Sequence, residues 1–162
     1  MKYFRKTICC FTLLITFLSN SQTLTGKVVG IMDGDTFKLL KSDSTTVNVR
    51  LANIDCPEKK QPFSEKAKQF TSDAIFGKTV TIKILKTDRY NRYISNVIYN
   101  DSLSLCHELV KYGLAWHYLK YSKDETLQTL EDEAKRKKIG LWQEPSPIAP
   151  WDWRSSKKKR KQ

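Results

Sequence analysis

A small β-barrel carrying α-helices, with five strands and three helices, is the fold class this sequence predicts, and three observations predict it. Five short runs rich in β-branched and aromatic residues alternate apolar and polar side chains between Leu24 and Tyr99. One amphipathic helical stretch interrupts them after the third run. Two more helical stretches follow the fifth, each stopped by a glycine, Gly113 and Gly140. The 162 residues are enough for one domain with its own core and too few for two.

The first strand spans Leu24 to Ile31, with Leu24, Val28, Val29 and Ile31 as its apolar set. Asp33-Gly34 is a strong hairpin dipeptide, and Asp35 to Leu40 forms the second strand. After the turn Lys41-Ser42-Asp43-Ser44, Thr46 to Ile54 alternates as a third strand, with Val47, Val49 and Leu51 on one face. The three make an antiparallel meander. Cys56-Pro57 ends it, because proline cannot donate to a ladder.

Ser64 is placed to cap a helix running to Phe76, with Gly77 at its end and Phe63, Ala67, Phe70 and Ala74 as the apolar stripe. Thr79 to Leu85 and Tyr93 to Tyr99 are the fourth and fifth strands, joined by Asp88 to Arg92. Ser104 caps a short second helix carrying Leu105, Leu109 and Tyr112. Asp124 opens a third, with Leu127, Leu130 and Ala134 inward and Lys135-Arg136-Lys137-Lys138 at the negative helix end. The remainder, with Pro145, Pro147 and Pro150, reads as irregular, and residues 155–162 as a basic disordered tail. Five strands with a helix after the third describe an OB-fold barrel, whose face and loops suit oligonucleotides.

Lys and Arg number 29 against 17 Asp and Glu, a net charge of +12 that favours polyanionic partners. Residues 1–21 read as a secretory signal: Lys2, Arg5 and Lys6, an apolar run from Ile8 to Leu18, then Ser19-Asn20-Ser21 for cleavage. The run is shorter than the roughly 20 apolar residues of a membrane span. Cleavage leaves a domain from residue 22 to 154 plus the tail, a net charge of +9 after loss of those three cations, and an extracellular or periplasmic location. It also leaves two cysteines, Cys56 and Cys106, read as unpaired thiols although a bridge would be permitted there. No Cys-x-x-Cys spacing or Cys/His cluster points to zinc.

Chemistry concentrates in Asp33-Gly34-Asp35-Thr36, Arg50 to Glu58, and Asp88 to Arg92. Strands two and three are neighbours, so Asp35 and Asp55 are brought together. Two close carboxylates repel unless a cation lies between them, and oxygen-only ligands favour Ca²⁺, then Mg²⁺. Glu58, in the loop beside Asp55, is a candidate general base. Arg50 and Arg92 offer planar forks for a phosphate. Five residues separate Arg50 from Asp55, so an ideal strand would point them to opposite faces; without a bulge or strong curvature Arg50 would sit on the barrel exterior. Tyr90 is either a base-stacking residue or a packed loop tyrosine. His107 and His117 lie apart and read as structural.

These segments, with Gly113-Leu114-Ala115-Trp116, Gly140-Leu141-Trp142 and Pro150-Trp151-Asp152-Trp153-Arg154, resemble the staphylococcal nuclease-like (thermonuclease) family over Leu24 to Arg154. The resemblance implies an OB-fold enzyme hydrolysing DNA and RNA with Ca²⁺ and leaving 3′-phosphate ends, and a monomer with no stable membrane insertion. It implies that Asp35 and Asp55 ligate the ion with the Cys56 carbonyl. It further implies that Glu58 positions the attacking water and that Arg50 and Arg92 hold the phosphate. Cys56 replaces a usual Thr or Ala, and Asn91 a usual Gly. The rival expectation is a non-catalytic OB-fold module that only binds nucleic acid; such modules lack part of the Asp35, Arg50, Asp55, Glu58, Arg92 set, which this chain retains.

Overall fold

The computed structural model describes residues 22–159, so the signal segment lies outside the described residues. Strands β1 (Thr23–Asp33), β2 (Thr36–Leu40) and β3 (Thr46–Leu51) form the antiparallel meander, and β1 pairs on its other side with β5 (Thr79–Thr87). Strand β6 (Arg92–Tyr99) pairs antiparallel with β5 and parallel with β3, closing a five-stranded barrel. Closure removes the open sheet edges. Alternation drives it: Val28, Phe37, Leu39, Val49, Ile82 and Val97 are fully buried inside, each worth roughly 1.5–3 kcal/mol of apolar burial.

The third strand is shorter than the sequence predicts. It stops at Leu51, because Asn53 takes a positive φ of 65° and turns the chain. Ile54–Asp55 then forms a separate strand, β4, antiparallel to β8 (Trp116–His117). Strand β7 (Leu103–Ser104) extends the sheet beside β6.

Helix α1 (Ser64–Ile75) packs against β1 and against helix α2 (Leu105–Lys111). Ser64 does not cap it; Phe63 holds the cap position at φ 66° without a side-chain bond, and Ser64 is the first helical residue. The innermost line is Ser64, Ala67, Thr71 and Ile75, with Phe63, Phe70 and Ala74 only partly buried beside it. The stripe rotates because the Thr71 hydroxyl donates to the Gly34 carbonyl at 2.6 Å and is carried inward. Gly34 must be glycine here: a Cβ would stand 2.8 Å from the Ala67 Cβ.

Helices α2 (Leu105–Lys111) and α3 (Glu125–Arg136) are capped as expected, Ser104 accepting from His107 N and Asp124 from Thr126 N and Leu127 N. A 3₁₀ turn follows at Gly140–Gln143. Residues 144–149 are irregular as predicted, but from Pro150 the expected irregular and then disordered tail is instead a fourth helix, α4 (Pro150–Lys159), through the last described residue. Proline suits its first turn, and Trp151 seats it, stacked on Tyr118 at 4.8 Å. Residues 160–162 lie outside the description. Among the described residues no helix is long and apolar enough to cross a membrane.

Candidate active site

The hairpin between β1 and β2, the turn into β4, and the β5–β6 hairpin open onto one cleft of about 870 Å³. Asp35, Arg50, Asp55, Cys56, Glu58, Tyr90 and Arg92 all line it, so the sequence-predicted residues converge. Asp35 and Asp55 are 5% and 1% exposed. Between them lies Arg50, its Nη2 donating to Asp55 Oδ1 at 2.7 Å and its Nη1 in ion contact with Asp35 Oδ2. That Nη1 is buried and makes no well-directed hydrogen bond, despite the ion contact. The reach of Arg50 to Asp55, forbidden on an ideal strand, comes with the Asn53 turn, which interrupts the strand between them.

Each carboxylate is further fixed. Asp35 Oδ2 accepts from Cys56 N at 2.8 Å, and Oδ1 accepts from the Thr36 hydroxyl at 3.1 Å. That bond lays the Cys56 peptide against Asp35. Asp33 turns inward at the hairpin, accepting from Asp35 N at 3.2 Å. Burial of its carboxyl, then the Asp35 charge, pushes Asp33 up to about 7, although the residue as a whole is open to solvent. Burial also raises Asp55, against the opposing pull of Arg154 and Arg50. Burial works against the charge on Arg50, and the Asp35 and Asp55 carboxylates more than restore it. The thiols of Cys56 and Cys106 are free and buried; burial pushes Cys106 up to about 12 and Cys56 also well up.

Arg92 is on the same face as Arg50. It pairs with Asn48 in the parallel β3–β6 ladder, two residues from Arg50, and residues two apart share a face. Its guanidinium, however, is turned to Asp88, with Nε and Nη2 at 2.9 and 2.8 Å from Oδ2. Asn91 takes φ 58°, a left-handed conformation that asparagine tolerates better than most residues other than glycine. Tyr90 is exposed, not packed, and has two guanidinium groups near its ring, Arg89 at 4.8 Å and Arg92 at 5.5 Å from its centre.

A family model described as staphylococcal nuclease homologue matches residues 48–144. The chain belongs to the staphylococcal nuclease family. Among similar proteins, one named as an uncharacterized endonuclease of Haemophilus influenzae is 40% identical over 148 residues, covering 90% of this chain and 83% of its own. One of the same name from Escherichia coli O157:H7 is 39% identical over 132 residues, covering 82% and 86%. A micrococcal nuclease of Shigella flexneri is 36% identical over 144 residues, covering 82% of each chain.

Sequence reasoning gave no role to Arg154 or Gln61. Arg154 forks onto Asp55, with Nη2 to Oδ2 at 2.8 Å and Nη1 to Oδ1 at 3.3 Å, and its Nη1 also donates to Glu58 Oε1 at 2.5 Å. Gln61 is buried and binds the Glu58 backbone. Arg154 stood in the Pro150–Arg154 segment that carried the family resemblance; for Gln61 the sequence held no signal.

Among the described residues no group of three or more His, Cys, Asp or Glu side chains is arranged as a metal centre. The donors nonetheless fit a hard cation. Two buried carboxylates from separate parts of the chain converge on one guanidinium, and the Cys56 peptide lies against Asp35. An ion using Asp35, Asp55 and the Cys56 carbonyl would complete its shell with water and phosphate oxygens.

Proposed function

We propose that this protein is a secreted or periplasmic Ca²⁺-dependent endonuclease that hydrolyses DNA and RNA with little sequence specificity, leaving 3′-phosphate ends. One observation carries the reading: two buried carboxylates meet on Arg50 at the floor of a cleft that also presents Glu58, Tyr90 and Arg92. Family membership supports the nuclease reading, and the basic, apolar and small-residue sequence of positions 1–21 supports export. The positive charge favours a polyanionic substrate.

Asp35, Asp55 and the Cys56 carbonyl would hold the ion, which when bound polarises the phosphate and orients water. Glu58 takes the proton of the attacking water as its oxygen bonds to phosphorus. The bond from phosphorus to the 5′-oxygen breaks, and that oxygen is protonated from solvent. Arg50 offers the N–H groups that its carboxylates leave free, and Arg92 leaves Asp88 for a phosphate oxygen. Both forks then neutralise charge growing on the equatorial oxygens. Exposed Tyr90 stacks on a base of the substrate.

Single- and double-stranded DNA and RNA, digested with Ca²⁺ and with chelator and run on a gel, test the reading. Cleavage of both polymers with Ca²⁺ and none with chelator supports it. Binding without cleavage would instead favour the OB-fold binding module, and cleavage that survives chelation would remove the ion.

A further inference from the structure

The C-terminal segment meets the Glu58 loop at two points. Ahead of α4, buried Gln61 accepts from Glu58 N at 2.9 Å and donates through Nε2 to the Ile148 carbonyl at 2.5 Å. Within α4, Arg154 Nη1 donates to Glu58 Oε1 at 2.5 Å while the same guanidinium forks onto Asp55. Aromatic packing seats the helix: Trp151 stacks on Tyr118 with planes 10° apart and meets Trp116 edge-on at 5.7 Å. Among the described residues the Glu58 carboxylate has no other side-chain partner.

A glutamate in an irregular loop would otherwise sample several rotamers. Arg154 removes that freedom with a planar fork that ties Glu58 to buried, fixed Asp55. We propose that Arg154 is a positioning residue: carried by the docked α4, it holds the Glu58 carboxylate in register with Asp55 and so aims the base at the attacking water. The inference rests on Glu58 being the base of a nuclease. It goes beyond the family match, whose residues stop short of Arg154. It also makes α4 part of the active site and not an appendage of it.

A double-mutant cycle on the full chain tests it, with Arg154→Ala, Glu58→Ala and their combination assayed on single-stranded DNA. A displaced reacting group of this kind loses about 10²-fold in rate, so Arg154→Ala is expected to lower kcat by that order with KM little changed. In the Glu58→Ala background the same substitution should alter kcat by no more than about twofold, because residues acting as one unit do not add. Arg154→Lys, which keeps the charge and the helix but lacks the fork, should recover part of the loss. Equal losses in both backgrounds would show that Arg154 acts independently of Glu58, on the phosphate or on the fold, and would overturn the proposal. So would a rise in KM alone. A wild-type chain that cleaves nothing would overturn the nuclease reading itself. An active wild type with an additive cycle would overturn only the role of Arg154.

Discussion

Arg50 and Arg92 stand on adjacent parallel strands, on one face and nearly in register, yet they are held in opposite ways. Arg50 is nearly buried, locked by Asp35 from the turn ahead of β2 and by Asp55 from β4, with the Asn53 turn between Arg50 and Asp55. Arg92 is more open and leans on Asp88, four residues back in its own hairpin. Asp88 meanwhile spends its other oxygen on the backbone of that turn, accepting from Tyr90 N and Arg92 N. The difference teaches that one guanidinium is part of the fold of the site, whereas the other is parked where a substrate can reach it. Losing the first should damage stability and catalysis together. Losing the second should damage catalysis with far less loss of stability.

The contrast is broken most directly by Arg50→Ala. Two buried carboxylates would then face each other without their shared cation, a loss on the order of 3–5 kcal/mol. Urea denaturation of the metal-free protein should show it, together with loss of nuclease activity; an unchanged unfolding midpoint would mean that Arg50 is not structural. Next in size, Glu58→Gln should lower turnover on the order of 10²-fold or more with the midpoint unmoved; near-wild-type rates would remove Glu58 as base. Arg92→Lys should lower kcat far more than it weakens substrate binding, again without destabilisation, because a lysine keeps the charge but not the fork. Parallel losses in kcat and binding would place Arg92 in substrate capture instead.

The smallest effect concerns Asp88. Burial opposes its ionised form, but the Arg92 backbone and side chain and the Tyr90 N–H outweigh it and hold the carboxyl below the ordinary range. A depressed carboxylate pKa gives stability that is present above the unfolded value of about 3.9 and lost as pH falls through the folded value. The melting-temperature deficit of Asp88→Asn should therefore be visible at neutral pH and shrink in acid. A deficit that persists unchanged at low pH would mean that shape, not charge, holds this hairpin.

Much of this was legible in the residues. Alternation in Val47-Val49-Leu51 and Val80-Ile82-Ile84 gave the barrel strands, and the caps Ser104 and Asp124 sit where their sequence placed them. Asp35, Arg50, Asp55, Glu58, Tyr90 and Arg92 do share one cleft. What stayed hidden depended on nonlocal contacts or on backbone special cases. An asparagine with positive φ inside an apparently continuous strand decides whether Arg50 reaches Asp55, and strand periodicity cannot register it. Helix α4 opens on a proline, follows two more and ends in lysines, the composition of a tail; its order comes from Trp151 meeting Tyr118 and Trp116, side chains on a distant segment. Arg154 became visible as a site residue only once that helix was docked.

The measurement that bears most directly on the central claim is the initial rate of single-stranded DNA cleavage across a Ca²⁺ titration, for the wild type and Asp55→Asn. A cation ligated by Asp35 and Asp55 predicts a saturating rise for the wild type, no rate in chelator, and a curve for Asp55→Asn that is flat or displaced to much higher Ca²⁺. Wild-type cleavage indifferent to Ca²⁺, or an Asp55→Asn curve that overlays it, would contradict the account.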